Sequence, residues 1–128
     1  MNRIHGARIK SAIDAAEAGT TGRIAVRVVS GRPGDALATA RAHFEQARLH
    51  EHPGRNAVIF LVAPQGRRFA AFGGEAIHTR VGDEFWKAVI EGMTPYFANG
   101  DPTGALEFGI ARAGDALREH FPKEPVEA

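Results

Sequence analysis

RNAVIFLVAPQGRRFAAFGGEAIHTRVGDEFW, residues 55–86, decides the fold. Ala57 to Ala63 is apolar throughout and bounded by breakers, which reads as a strand buried on both faces. Pro64-Gln65-Gly66 is a short turn, and Arg67 to Phe72 returns as a partner strand. Its alternation is poor, so both of its faces should be covered too. Gly73-Gly74 stops it. Asp83 then starts a helix with a wide apolar stripe of Phe85, Trp86, Val89, Ile90, Met93 and Phe97, ended by Asn99-Gly100.

Working outward, Ile4 to Ala18 reads as a helix, because Ile9, Ala12, Ile13 and Ala16 recur at helical spacing before Gly19. Arg23 to Ser30 alternates, with Ile24, Val26 and Val28 on one face, which predicts a strand. Gly31 to Gly34 is a turn, Asp35 caps, and Leu37, Ala40, Phe44 and Ala47 mark a helix to about His50. Asp101-Pro102, a cap followed by proline, opens a last helix along Leu106, Ile110, Ala113, Leu117 and Phe121. The order is α-β-α-β-β-α-α. The first two strands with their helix form a βαβ crossover and should be parallel; the turn at 64–66 makes the third strand antiparallel. The expectation is an α/β fold, a three-layer α/β/α sandwich on a small mixed sheet with one hairpin. It forms a single domain over residues 1–122, with a disordered tail at 123–128.

Bulk properties narrow the function. Sixteen basic residues against fifteen acidic ones leave a net charge of +1, which argues against a nucleic-acid partner. The absence of cysteine excludes thiolate zinc sites, disulfides and cysteine nucleophiles. No apolar run reaches the ~18 residues of a membrane span. The N-terminal residues carry scattered charges rather than the core of a signal peptide. The expected location is cytoplasmic, without membrane insertion.

Four motifs carry a resemblance: Glu17-x-x-Thr20-Thr21-Gly22-x-Ile24; Arg55-Asn56-Ala57-Val58-Ile59; Gly73-Gly74-Glu75-x-Ile77; and Val81-Gly82-Asp83-Glu84-Phe85-Trp86. In this order the chain resembles the TPM domain family over about residues 4–121. The short bacterial members also end near a His-Phe-Pro like His120-Phe121-Pro122. The resemblance implies a Rossmann-like sandwich, a phosphatase-like label, and divalent-cation binding as in some members. Two positions depart from the pattern. Short members usually have Gly-Asp where this chain has Gly73-Gly74, and a threonine where it has His52.

Topology places the candidate site. The loop at 17–22 enters the first strand, Arg55-Asn56 enters the second, and Gly73-Gly74 leaves the third, so all three lie at one end of the sheet. Glu17, Thr21, Arg55, Asn56, Glu75 and Asp83 should converge there. Glu17, Glu75 and Asp83 are candidate ligands for a hard cation, Ca²⁺ or Mg²⁺. Arg55, Asn56, Gly73 and Gly74 are candidates to hold an anion such as phosphate, and His78 is the best general acid or base. Each has a plainer reading: Asp83 as an N-cap, Glu17 with Arg55 as a structural ion pair, Asn56 as a partner for backbone groups, the glycine pair as a tight turn, Glu75 as solvated surface. A metal site at His43, His50 and His52 ranks lower, because histidine near a helix C-terminus is favoured by the dipole alone. The expected function is a non-catalytic module that binds a divalent cation or a protein partner. The alternative is a metal-assisted acid phosphatase acting on phosphomonoesters.

Overall fold

Strand β2 (Ala57–Ala63) forms the middle of a three-stranded sheet, with β1 (Arg23–Val28) on one side and β3 (Arg68–Gly73) on the other. This is a computed structural model, and it describes residues 4–123. No residue of β2 is more than 1% exposed. β1 runs parallel to it with Arg23 opposite Ala57, and β3 runs antiparallel with Gly73 opposite Val58. Over the described residues the chain is thus a mixed α/β fold of four α-helices and a mixed three-stranded sheet, with the parallel crossover and the hairpin that the sequence predicts.

Period-two alternation decides which helix covers which face. Val58, Phe60 and Val62 pack with α1 (Gly6–Glu17), α3 (Glu75–Ala98) and α4 (Pro102–His120). Ala57, Ile59 and Leu61 pack with Ala40 and Phe44 of α2 (Ala36–Gln46). Two of the three expected caps form. Asp35 Oδ1 accepts the Ala38 N–H at 3.0 Å, and Asp101 Oδ1 accepts the Gly104 N–H at 2.9 Å ahead of Pro102. The loop before β1 is held to the end of α4 by Thr20, whose Oγ1 donates toward the Phe121 carbonyl at 2.6 Å and accepts the Gly22 N–H at 3.1 Å.

Three expectations need correction. The helix after the glycine pair starts at Glu75, not Asp83, and is broken at Gly82, whose φ of 76° and ψ of 173° are not helical. Asp83 makes no capping bond. Its side chain is 93% exposed, with its carboxylate 3.3 Å from His78 Nε2. The second helix stops at Gln46. Arg48 adopts a left-handed φ of 60°, and a 3₁₀ turn follows at Leu49–Glu51, so His43 and His50 do not share a helix face. The hairpin turn takes in Arg67 (φ 53°), which shifts the start of β3 to Arg68. Of the expected tail, Lys123 donates to the Gly19 carbonyl at 2.9 Å, and residues 124–128 lie outside the described residues. Among the described residues, no helix is long and apolar enough to cross a membrane.

A Cβ at Gly82 would meet nothing within 4 Å, so the position is set by backbone conformation alone. Gly82→Ala should therefore cost about 1–3 kcal/mol of strain and lower the thermal midpoint by several degrees. A variant that melts at or above the parent temperature would contradict this.

Candidate functional site

The start of α3 is pinned to the entrance of β2. The Gly74 N–H donates to the Ala57 carbonyl at 2.8 Å, and the Ala76 N–H donates to the Arg55 carbonyl at 2.9 Å. These bonds set Arg55 and Glu75 side by side. They also open a groove of about 550 Å³ between α2 and α3, along the outer edge of β3. Phe44, Phe72 and Trp86 line its apolar part, with Phe44 and Phe72 edge to face at 5.0 Å. Arg41, Glu45, His50, Arg55, Glu75, His78 and Asp83 line its polar part.

The glycine pair is explained by packing within the protein. A Cβ at Gly73 would sit 2.5 Å from Trp86 Cζ2, and one at Gly74 would sit 2.8 Å from the Arg55 carbonyl oxygen. Gly74 has a φ of −62°, so no left-handed turn requires it. The close approach at Gly74 is made by the Arg55 backbone. Arg55 and Trp86, which both line the groove, are held in different ways. Arg55 itself holds a left-handed φ of 55° and donates from Nη1 to the His50 carbonyl at 2.5 Å. The indole N–H of Trp86 is buried and has no acceptor among the described residues.

Six of the residues singled out from sequence line this groove: Arg55, Gly73, Gly74, Glu75, His78 and Asp83. Glu17 and Asn56 do not. Glu17 Oε2 accepts the Ile24 N–H of β1 at 2.7 Å, and it makes no ion pair with Arg55. Asn56 is fully buried. Its Nδ2 donates to Thr21 Oγ1 at 3.0 Å, while its Oδ1 finds no partner. His52, at the departure from the family pattern, places Nε2 3.0 Å from the Thr21 carbonyl. The three chain segments meet at one end of the sheet, but their side chains part. Among the described residues, no three histidine or acidic side chains cluster so as to hold a metal ion. The apolar wall from α2 and the unpartnered Trp86 N–H were not visible in sequence, where Phe44 and Trp86 read only as core.

A family model described as the TPM domain matches residues 3–116. No curated protein matches the chain. Among solved structures, the BA42 protein of the psychrophilic bacterium Bizionia argentinensis is 27% identical, with a TM-score of 0.83 over 94% of this chain and 86% of that one. The N-terminal domain of the cg2496 protein from Corynebacterium glutamicum is 20% identical, with a TM-score of 0.71 over 98% and 82% of the two chains. The N-terminal domain of a protein from P. gingivalis is 15% identical, with a TM-score of 0.77 over 95% and 83%. The last two speak to fold alone.

The bond from Ile24 makes Glu17 a cap for an edge-strand amide. Glu17→Ala should cost about 1.5 kcal/mol in a thermal melt, with Glu17→Gln recovering part of it. Ca²⁺ should leave the difference between parent and variant unchanged. A difference that grows with added Ca²⁺ would instead make Glu17 a metal ligand.

Proposed function

The chain belongs to the TPM domain family, and from that premise we propose a non-catalytic module that holds a protein partner in the groove between α2 and α3. One observation carries this reading. An apolar wall of Phe44, Phe72 and Trp86 lies beside Arg55 in a single groove of about 550 Å³. A ligand that brings an acidic group alongside an apolar side chain pairs with Arg55 and covers the aromatic rings. A peptide segment of a partner protein has this chemistry.

The residues present do not fit a resident cation. Ca²⁺ takes about six to eight oxygens, and the groove offers the carboxylates of Glu45, Glu75 and Asp83, with Glu45 paired to Arg41 at 3.6 Å and His78 facing Asp83. An aspartate at position 74 would drive its Cβ into the Arg55 carbonyl. Ca²⁺ or Mg²⁺ enters this reading only as a weak occupant of the rim, with water as most of its ligands. No arrangement in the groove favours phosphomonoester hydrolysis. The proposal extends to a Rossmann-like three-layer description of the sheet with its two helical coats, and to a cytoplasmic location; the latter rests on the sequence alone.

Phenyl phosphate tests binding and hydrolysis together, because it is both an aromatic anion and a phosphomonoester. In ¹H–¹⁵N spectra it should shift the amides of Gly73, Gly74 and Glu75 and the Trp86 indole N–H, and no phenol should appear. Arg55→Gln should weaken this binding about tenfold, the loss of a charge-assisted contact. Phenol release that is lost in Asp83→Asn would establish an enzyme instead. Groove resonances unmoved by phenyl phosphate would remove the binding site.

A further inference from the structure

We propose that the outer edge of β1, on the opposite side of the sheet from the groove above, docks an extended acidic segment of a partner protein, which adds to the sheet as a fourth strand. The order β1-β2-β3 leaves this edge without a neighbouring strand among the described residues. The direction of its polar groups follows from the parallel ladder. The N–H of Arg23 reaches the Asn56 carbonyl at 3.4 Å and that of Val29 reaches the Val62 carbonyl at 2.9 Å, so odd-numbered residues turn their backbone toward β2. Ile24, Val26 and Val28 therefore turn their N–H and C=O groups outward.

Two of those groups are occupied from within the chain. Glu17 accepts the Ile24 N–H at 2.7 Å, and Arg27 Nη1 donates to the Val26 carbonyl at 3.1 Å. The Val26 and Val28 amides and the Ile24 and Val28 carbonyls have no partner among the described residues. They face a cleft of about 680 Å³ between α1 and the 3₁₀ turn, walled by Ile9 and Ile13 on one side and Leu49 on the other. Val28, at the end of the strand, is 53% exposed. An extended peptide laid in this cleft would find both backbone partners and an apolar wall.

The side chains state what kind of peptide fits. Ile24 and Val26 belong to the face covered by α1, so a partner strand presents apolar residues there. On the other face stand Arg23 and Arg27, flanking Ala25, and neither has a carboxylate partner among the described residues. Of the other charges at this edge, Glu17 is engaged by the Ile24 N–H and has no cationic partner among the described residues, while two pairs close locally. Lys10 pairs with Asp14 at 2.8 Å, and Arg48 pairs with Glu51, whose carboxyl it holds below the usual range by hydrogen bond and charge. The unmatched charge on β1 is positive and sits at alternate strand positions, which calls for acidic residues at alternate positions of the incoming strand. A second copy of the chain fits poorly. Every antiparallel self-pairing that joins outward-facing residues sets Arg27 opposite or diagonal to an arginine of the other copy, and like charges there are unfavourable. The competing account makes the two arginines gatekeepers that keep strands away from a bare edge.

A blocked hexapeptide of alternating glutamate and valine separates these accounts. Added to the ¹⁵N-labelled chain, it should shift the amides of Ile24, Val26 and Val28 and slow hydrogen exchange at Val26 and Val28. The Arg23→Glu/Arg27→Glu double variant, altered only at exposed positions, should bind it about tenfold more weakly. The same peptide with its backbone N-methylated at alternate residues, tested on the unaltered chain, should lose the exchange protection. No binding at this edge would leave the arginines as gatekeepers. Binding indifferent to both the charge reversal and the N-methylation would overturn strand addition. Protection of Val26 and Val28 that rises with protein concentration, without peptide, would make the edge a self-association surface.

Discussion

Burial of β2 on both faces is the constraint on which the rest depends. Seven consecutive residues with essentially no exposed surface need a helical coat on each side, and their alternation assigns α2 to one face and α1, α3 and α4 to the other. Each of Val58, Ile59, Phe60, Leu61 and Val62 gains about 1.5–3 kcal/mol from leaving water, so the strand is fixed in register as well as in place. The loops that enter and leave it inherit that rigidity. Arg55, two residues before the start of β2, is held in a left-handed conformation with its carbonyl bonded to Ala76. A side chain on a pinned backbone is a better binding element than one on a free loop.

A sheet of only three strands has a second consequence. Both outer strands are edges, and each borders a cleft. Along β3 the cleft is partly aromatic and is lined by Arg55 and three acids, Glu45, Glu75 and Asp83. Along β1 it is aliphatic and basic, with backbone groups turned outward. The binding proposed above falls at these two margins. The ends of the β-strands serve mainly to hold the two margins in position: Thr20 and Glu17 tie the entrance of β1, and Gly74 ties the exit of β3.

Local patterns legible in the sequence produced most of the elements. The apolar run of β2, bounded by Asn56 and Pro64, gave its limits to the residue, and the Asp101-Pro102 pair located α4. The connection lengths gave the parallel and antiparallel pairings, which bring Arg55, Gly73, Gly74, Glu75, His78 and Asp83 to one groove. What could not be read were contacts set by tertiary geometry. Gly73-Gly74 reads as a stop and Asp83 as a cap, so the helical turn between them was hidden until α3 was seen to be anchored on Arg55 and Ala57. Arg48 ends α2 with a left-handed conformation that glycine, not arginine, usually signals. Glu17 lay near the site in topology, but a strand amide 2.7 Å away captured it. The missing acceptor at Trp86 is a property of what surrounds the ring, which no single sequence pattern encodes.

Site-resolved amide hydrogen exchange on the free chain tests the central claim, a doubly buried strand between two uncovered edges. Exchange at β2 should require global unfolding, and within β1 the Ala25 and Arg27 amides should exchange slowly while those of Val26 and Val28 exchange quickly. Equal protection along all of β1, with Val26 and Val28 as slow as their neighbours, would mean that the edge is covered in the free protein and would contradict the account.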